Sequence, residues 1–471
     1  MTTSELDKYK VDHLFLLIGE NPLPNYVAAK TLLREGGKPY LVFSEGTEKP
    51  AERLKEILGL SDRETVSLDN NESNAYEIKK RIRKKIKELK KEFPNKNSFG
   101  LNYTGGTKAM ATHAYQALLF HDDKDLTIQL NPLPIFSYLD SRSLKILIDQ
   151  INNPIPLDIP KKLLEFSLEK LFELHGLSLS KPPKTEVPPK KPYKIDVALP
   201  ELVEAIVKNN LAWREWCKKQ LSIEGKQREE VKRVQKKLDS QEGEEISSNQ
   251  NNTVTEIYFN FREWKNATYL RNLSLPIYEL PQDITSLLER YNFLDSNGNL
   301  SIQTIEQAQQ LIEYKERIPK PKKNKDYPEE ICKWLEGVWL EDYVLQQLNK
   351  IQEECSLDEL GMSFDFPENL NIVEFEFDVA CLRGYQLFAI SCTSSNDSGL
   401  CKSKLFEAYR RARQMGGDEA RVALVCYYDQ PKKIKQRFMS QINDPKVNVF
   451  GSGDIADLST KLKNWIQEVD A

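Results

Sequence analysis

Histidine is scarce in this chain of 471 residues: His13, His113, His121 and His175 are the whole supply, and no two stand at ligand spacing. That sets histidine-based metal chemistry aside. Cysteine is sparse too, seven residues with no CxxC pair, an odd number that suits reduced, buried thiols rather than a disulfide framework or a zinc site. No run approaches the roughly 18 apolar residues that span a bilayer. The opening stretch, Met1 to Lys10, is polar and charged, with no signal-peptide core. The expectation is a soluble, cytoplasmic protein with no membrane partner, in which the Asn266-Ala267-Thr268 sequon has no meaning. An excess of one charge is also missing: 67 Lys and Arg face 71 Asp and Glu, a net charge of -4. A uniformly basic nucleic-acid coat protein is thereby excluded.

What is present is a chain long enough for about three domains at roughly 150 residues each. The first third alternates strand and helix patterns. His13 to Ile18 is a short apolar run ending at Gly19. Leu23 to Arg34 has helical periodicity, with Gly36-Gly37 as its expected stop. A strand at Tyr40 to Phe43 precedes a helix from Glu48 to Leu58. A basic helix, Ala75 to Lys91, then leads to a strand at Phe99 to Tyr103. A helix from Lys108 to Phe120 and strands at Thr127 to Leu130, Ile135 to Leu139 and Leu144 to Ile148 finish the unit. Such alternation predicts an α/β fold, a Rossmann-like parallel sheet covered on both faces.

The proline-rich stretch Lys181 to Pro192 is a linker. A charged helix and a polar loop, Gln241 to Thr253, follow it. Helix, turn and strand signals from Leu287 to Ile302 suggest a small mixed, winged-helix-like middle region. Asp295 and Glu306 have the span of a calcium loop, but its sixth-position glycine is absent and Gly298 falls at the fourth, which argues against calcium. Pro319 to Lys323 is a second break. The expected boundaries are 1–155, a helix and linker over 156–195, a middle region over 196–327 and a last domain over 328–471.

Two loops stand where open parallel sheets bind ligands, at the carboxyl ends of strands: Gly19 to Tyr26, and Thr104-Gly105-Gly106-Thr107-Lys108. Paired glycines let backbone N–H groups close on an anion, a helix start adds partial positive charge, and Thr104, Thr107 and Lys108 add donors. This is a phosphate cradle without Walker spacing, and with no G-x-G-x-x-G it is not a dinucleotide site. The plainer reading is a tight strand-to-helix turn. Together with Phe43-Ser44-Glu45-Gly46-Thr47, however, the segments Ile18-Gly19-Glu20-Asn21-Pro22-Leu23-Pro24-Asn25-Tyr26 and Asn102 to Met110 resemble the CARF sensor domains of type III CRISPR ancillary effectors. The resemblance covers about residues 11 to 150. It implies a homodimer that binds cyclic oligoadenylate, usually cyclic tetra-adenylate, across its two-fold axis. It also implies that Gly19, Glu20, Asn21, Pro22, Pro24, Asn25, Ser44, Thr47, Thr104, Gly105, Gly106, Thr107, Lys108 and Met110 form the binding loops.

The last domain opens with an amphipathic helix start, Trp334 to Val344, that places Glu341 among large apolar neighbours. Ile372 to Ala380 then alternates so that Glu374, Glu376 and Asp378 share one strand face. If Gly384-Tyr385 is a two-residue turn, paired positions sum to 769, which sets Ser391 opposite Asp378 and Thr393 opposite Glu376. A helix carboxylate with one or two from a hairpin can hold a divalent metal against a phosphodiester. The order resembles the restriction-endonuclease-like PD-(D/E)xK nuclease core. The second strand departs from that pattern, with Ile390-Ser391-Cys392-Thr393 in place of acid and lysine. Lys402 and Lys404 on the next helix are the candidate replacements.

These residues predict Mg2+ or Mn2+ on Glu341 and Asp378, Glu376 in support, and Lys404 or Lys402 stabilising phosphate charge. The reading is a nuclease activated by cyclic tetra-adenylate that cuts RNA and possibly single-stranded DNA in antiviral defence. The plainer alternatives are a solvated acidic strand face beside a solvated basic helix face, or an inactive nuclease fold. At the level of function they are a ligand-controlled DNA-binding regulator and a second-messenger sink or ring nuclease. Over residues 331 to 471 there are 16 Lys and Arg against 22 Asp and Glu, and 13 of the 16 lie from Lys402 onward. The basic group includes Arg410, Arg411 and Arg413.

Overall fold

The computed structural model describes residues 5–119, 130–140, 142–164, 166–177, 200–231, 255–264, 274–305, 331, 334–366, 375–417 and 420–468. They fall into two compact units: Met1–Val187 with Val344–Ala471, and Pro188–Tyr343. Residues 127–129, the proline-rich stretch 181–192, the loop 241–253, the break 319–323, Glu306 and Glu374 lie outside the described residues.

In unit one, strands β1 (Val11–Leu17), β2 (Leu33–Phe43), β3 (Thr65–Ser67), β4 (Phe99–Asn102), β5 (Ile135–Asp140), β6 (Lys145–Ile148) and β7 (Ile155–Asp158) form one sheet in the order β3-β2-β1-β4-β5-β6-β7. The first five run parallel, and β6 and β7 add antiparallel strands. The chain is thus α/β with a large, parallel-dominated sheet. Successive side chains of β1 explain why both faces are covered. Leu14, Leu16 and Ile18 pack with Tyr26 and Val27 of the helix Leu23–Thr31 and Leu54 of the helix Glu48–Leu58. Phe15 and Leu17 pack with Ile78, Ile82, Ile86 and Leu89, one stripe of the helix Ala75–Glu92, and with the helix Lys108–Leu119. Each such buried side chain contributes roughly 1.5–3 kcal/mol.

Gly36-Gly37 is not the helix stop that the sequence suggests. The helix ends at Thr31 and the glycine pair lies inside β2, where the register with β1 jumps from Val11↔Leu33 to His13↔Lys38. Gly36 has φ +69°, and a Cβ on Gly37 would lie 3.0 Å from Val11 O, so the pair makes a bulge only glycine fits. β3 and β7 are not among the strands the sequence predicts, the one being three residues long and the other an edge strand that carries Pro156.

In unit two, helices Pro200–Lys208 and Asn210–Leu221 precede an antiparallel hairpin, β8 (Ser222–Val231) with β9 (Thr255–Trp264). The charged run after the linker is therefore two helices and a strand rather than one helix. β10 (Ser274–Leu275) and β11 (Leu300–Ser301) pair around the helix Gln282–Arg290. Asp295 ties the turn before β11, accepting N–H bonds from Asn297 (2.8 Å) and Asn299 (3.0 Å) and an O–H bond from Ser274 (2.5 Å). Trp213 Nε1 donates to Leu335 O at 2.6 Å, beside the π-helical turn Trp334–Val338 that leads into the helix Trp339–Lys350.

The rest of unit one is a second sheet, β12 (Glu359–Phe366), β13 (Phe375–Arg383), β14 (Gln386–Thr393), β15 (Arg421–Cys426) and β16 (Val447–Phe450), in chain order. The first three are antiparallel, and β14, β15 and β16 are parallel, with the helix Ser398–Gly416 as the β14–β15 crossover. Its core is continuous with that of the first sheet: the Phe172 ring lies edge-on to Phe364 at 5.5 Å, and Leu168 N donates to Glu359 Oε2 at 2.6 Å. Among the described residues no helix is long and apolar enough to cross a membrane.

Candidate functional site

The strand order places β2 and β3 on one side of β1 and β4 on the other, so the β1/β4 boundary is the topological switch point where open sheets form a crevice. Both glycine loops end there, and they touch. A Cβ on Gly105 would lie 2.2 Å from Leu17 O and 3.1 Å from Asn25 Oδ1, and one on Gly19 would lie 3.2 Å from Gly106 N. Gly106 holds φ +75°, a conformation that favours glycine. The loop therefore lies against the end of β1 with no side chain between, and its backbone is what it presents.

The polar side chains around it mostly hold the loops. Asn25 is buried and its Nδ2 donates to Leu17 O (2.9 Å). Thr104 Oγ1 accepts from Leu139 N (2.7 Å), and Thr107 Oγ1 accepts from Met110 N (3.1 Å) at the helix start. Ser44 N donates to Thr47 Oγ1 (3.1 Å), closing the turn after β2. Asn21 Oδ1 accepts from Leu23 N (3.0 Å) and faces His175 Nε2 at 3.2 Å. Burial pushes the His175 imidazole down to about 4, and its Nδ1 lies 2.9 Å from Leu171 O. Pro22 and Met110 are buried and Pro24 is half-buried, while Glu20, Thr107 and Lys108 are exposed. Lys108, at the start of a 12-residue helix, is the cation of this loop.

The second candidate site is an open pocket of about 200 Å3 whose polar walls are Glu376, Asp378, Ser391, Lys404, Glu407 and Arg411. The hairpin that builds it has the register read from the sequence: Arg383↔Gln386 closes a two-residue turn with Gly384 at φ +61°, and Val379↔Ile390 is the last backbone pair. One step beyond, Asp378 reaches across. Its Oδ2 accepts from Ser391 Oγ (2.8 Å) and Cys392 N (2.6 Å) and lies 3.7 Å from Lys404 Nζ. Three contacts thus converge on one oxygen of a carboxylate that is 8 % exposed, which fixes its orientation. The other oxygen, Oδ1, makes no hydrogen bond with the described residues and remains for the pocket.

Lys404 Nζ also donates to Cys392 O (3.3 Å), so a helix lysine stands at the strand that lacks one. Lys402, two residues earlier, lies over the Phe406 ring at 5.5 Å and is not in the pocket wall. Thr393 is not in it either, and its hydroxyl accepts from Ser395 N (3.3 Å). Glu341 stands half-buried in the first turn of the helix Trp339–Lys350, in unit two, whereas the pocket walls come from unit one. Glu407 is not among the predicted site residues, and Arg411 appears in the sequence reading only within the basic helix group. Periodicity is the signal that finds them, since 404, 407 and 411 recur at helical spacing. Burial pushes the Arg411 guanidinium below its ordinary value, Arg410 adds to the shift and Glu407 opposes it.

Among the described residues no three His, Cys, Asp or Glu side chains form a group able to hold a metal. Mg2+, however, is commonly held by one or two carboxylates together with substrate phosphates. A fixed aspartate with one oxygen left over is a donor of that kind.

No protein-family model and no curated protein sequence matches the chain. Among the solved structures that share its fold are two that match over nearly the whole chain. One is Can2 from Sulfobacillus thermosulfidooxidans in complex with cyclic tetra-adenylate (cA4), at TM-score 0.57 and 16% identity, over 97% of this chain and 99% of that one. The other is the protein VC1899 from Vibrio cholerae, at TM-score 0.59 and 15% identity, over 97% and 98%. At these identities the likeness is one of fold, and it extends over nearly the full length of both chains.

Proposed function

We propose that the chain is a CARF-type effector of type III CRISPR defence, a nuclease switched on by cyclic oligoadenylate. On this reading residues 1–155 sense the ligand and 328–471 cut nucleic acid. The observation that carries the chemistry is the pocket in which Asp378, Ser391 and Lys404 meet. An antiparallel hairpin followed by a crossover helix and parallel strands is the order expected of a PD-(D/E)xK core, and the bound cA4 of the Can2 structure supports the ligand class. Two copies meeting at their β1/β4 crevices would give a symmetric ring equivalent contacts from each protomer.

At the first site, backbone N–H groups of Gly105 to Lys108 and the Lys108 ammonium receive phosphate, while Gly105 and Gly106 permit the close approach. In the pocket, Mg2+ or Mn2+ on Asp378 would supply Lewis acidity to a phosphoryl oxygen and lower the pKa of an attacking water. Ser391 Oγ and the Cys392 N–H donate to Asp378 Oδ2 and keep the carboxylate aimed. Lys404 stabilises the negative charge that grows on phosphate in the transition state, a contribution worth about 100-fold in rate for one well-placed donor. Glu376 at the rim and Glu341 are the remaining proposed carboxylates. RNA, with or without single-stranded DNA, is the proposed substrate, cut without regard to sequence, since a pocket open to solvent reads the backbone rather than bases.

The test incubates purified protein with labelled RNA, labelled single-stranded DNA and Mn2+, with and without cyclic tetra-adenylate, on one gel. Ligand-dependent loss of RNA is the expected result. Intact RNA beside a linearised or unchanged ring would instead make the chain a ring nuclease or a sink. Cleavage that survives excess EDTA would remove the metal.

A further inference from the structure

We propose that Glu407 supplies the second carboxylate of the reaction pocket, the one that β14 lacks. The inference rests on the metal-dependent reading above and names a residue of this chain that the reading leaves out. β14 offers Ser391, Cys392 and Thr393 where an acid would be expected, so the hairpin contributes only Asp378 from a buried position and Glu376 from the exposed rim. A single aspartate oxygen is a weak hold on a hard divalent cation, and a second carboxylate would complete the pair that Mg2+ takes beside substrate phosphates.

The helix Ser398–Gly416 brings that second group to the same cavity. Its start is fixed by the Asp397 cap, whose Oδ1 accepts from Leu400 N (2.7 Å), and its rotation by Leu405, Ala412 and Met415, all buried in the core. With that face anchored, Lys404, Glu407 and Arg411 turn to the pocket. Glu407 is exposed, makes no hydrogen bond or ion pair with the described residues, and lines the same cavity as Lys404 and Arg411, on whose guanidinium its charge acts. Independently of the helix, Asp378 is more than nine-tenths buried, lines the pocket and keeps Oδ1 unpartnered. Lys404 and Glu407, one helical turn apart, would thus replace together the lysine and acid missing from the strand.

Mn2+ binding followed by electron paramagnetic resonance tests the inference apart from turnover. Wild type, Glu407→Gln, Glu407→Asp and Asp378→Asn are titrated with Mn2+ alone, and melting temperatures confirm that each is folded. Glu407→Gln should weaken Mn2+ binding about tenfold or more and cut cleavage about 100-fold, with Glu407→Asp recovering part of both. Mn2+ affinity within twofold of wild type in Glu407→Gln, while Asp378→Asn loses it, overturns the role of Glu407 and leaves the pocket reading intact. Wild-type protein that neither binds Mn2+ nor cleaves overturns both.

Discussion

The loops at the β1/β4 boundary and the pocket beside β13 and β14 lie in the same unit but present different parts of the chain. At the loops, Thr104, Thr107, Asn25, Ser44 and Thr47 bond to the backbone beside them, and what faces outward is main chain with the side chains of Glu20, Thr107 and Lys108. In the pocket the backbone is tied into the sheet, and what faces outward is charge: Asp378, Lys404, Glu407 and Arg411. The difference predicts how each will fail. A site made of backbone is destroyed by added volume and tolerates the loss of a hydroxyl only if the loop keeps its shape. A site made of side chains loses its chemistry without losing its fold.

Gly105→Ala should give the largest effect. The new methyl would meet Leu17 O at 2.2 Å, so the loop must move. The expected cost is about 3 kcal/mol, read as a fall of several degrees in Tm together with lost ligand binding. An unchanged Tm would mean the two loops are not packed as described. Lys404→Ala should lower cleavage about 100-fold at unchanged Tm, whereas Lys402→Ala, over Phe406 and outside the wall, should stay within about twofold of wild type. Equal losses in the two variants would put the working lysine elsewhere.

The smallest effect is a pH dependence. Burial holds the folded pKa of His175 at about 4, below the ordinary 6.5, so the unfolded chain takes up a proton that the folded one refuses. Stability from this group is complete above pH 6.5 and falls as pH drops toward 4, by about 2 kcal/mol at pH 5. Thermal melts of wild type and His175→Gln at pH 7 and pH 5 check this: the gap between the two pH values should narrow in the variant.

Much of the first sheet was legible because its signals are local. Alternation in β1, the stripe Ile78, Ile82, Ile86 and Leu89, and turns at strand ends each lie within a few residues of one another. Gly36-Gly37 misled because the freedom that ends a helix also makes a bulge, and only pairing with β1 distinguishes them. Ser391 beside Asp378 was legible for the same local reason, a two-residue turn and a period of two. That Glu407 and Arg411 line the pocket was not, since which face of a helix meets a strand some 30 residues earlier depends on packing at Leu405, Ala412 and Met415. The choice between Lys402 and Lys404 turned on that rotation as well.

The most direct test of the account pairs Lys108→Ala with Asp378→Asn and measures cyclic tetra-adenylate affinity and RNA cleavage for both. Lys108→Ala should weaken ligand binding about tenfold and shift activation to higher ligand, with the maximal rate unchanged. Asp378→Asn should bind ligand as wild type does and cut nothing. Cleavage retained in Asp378→Asn, or ligand binding undisturbed in Lys108→Ala, would contradict the division of labour between the backbone loops and the charged pocket.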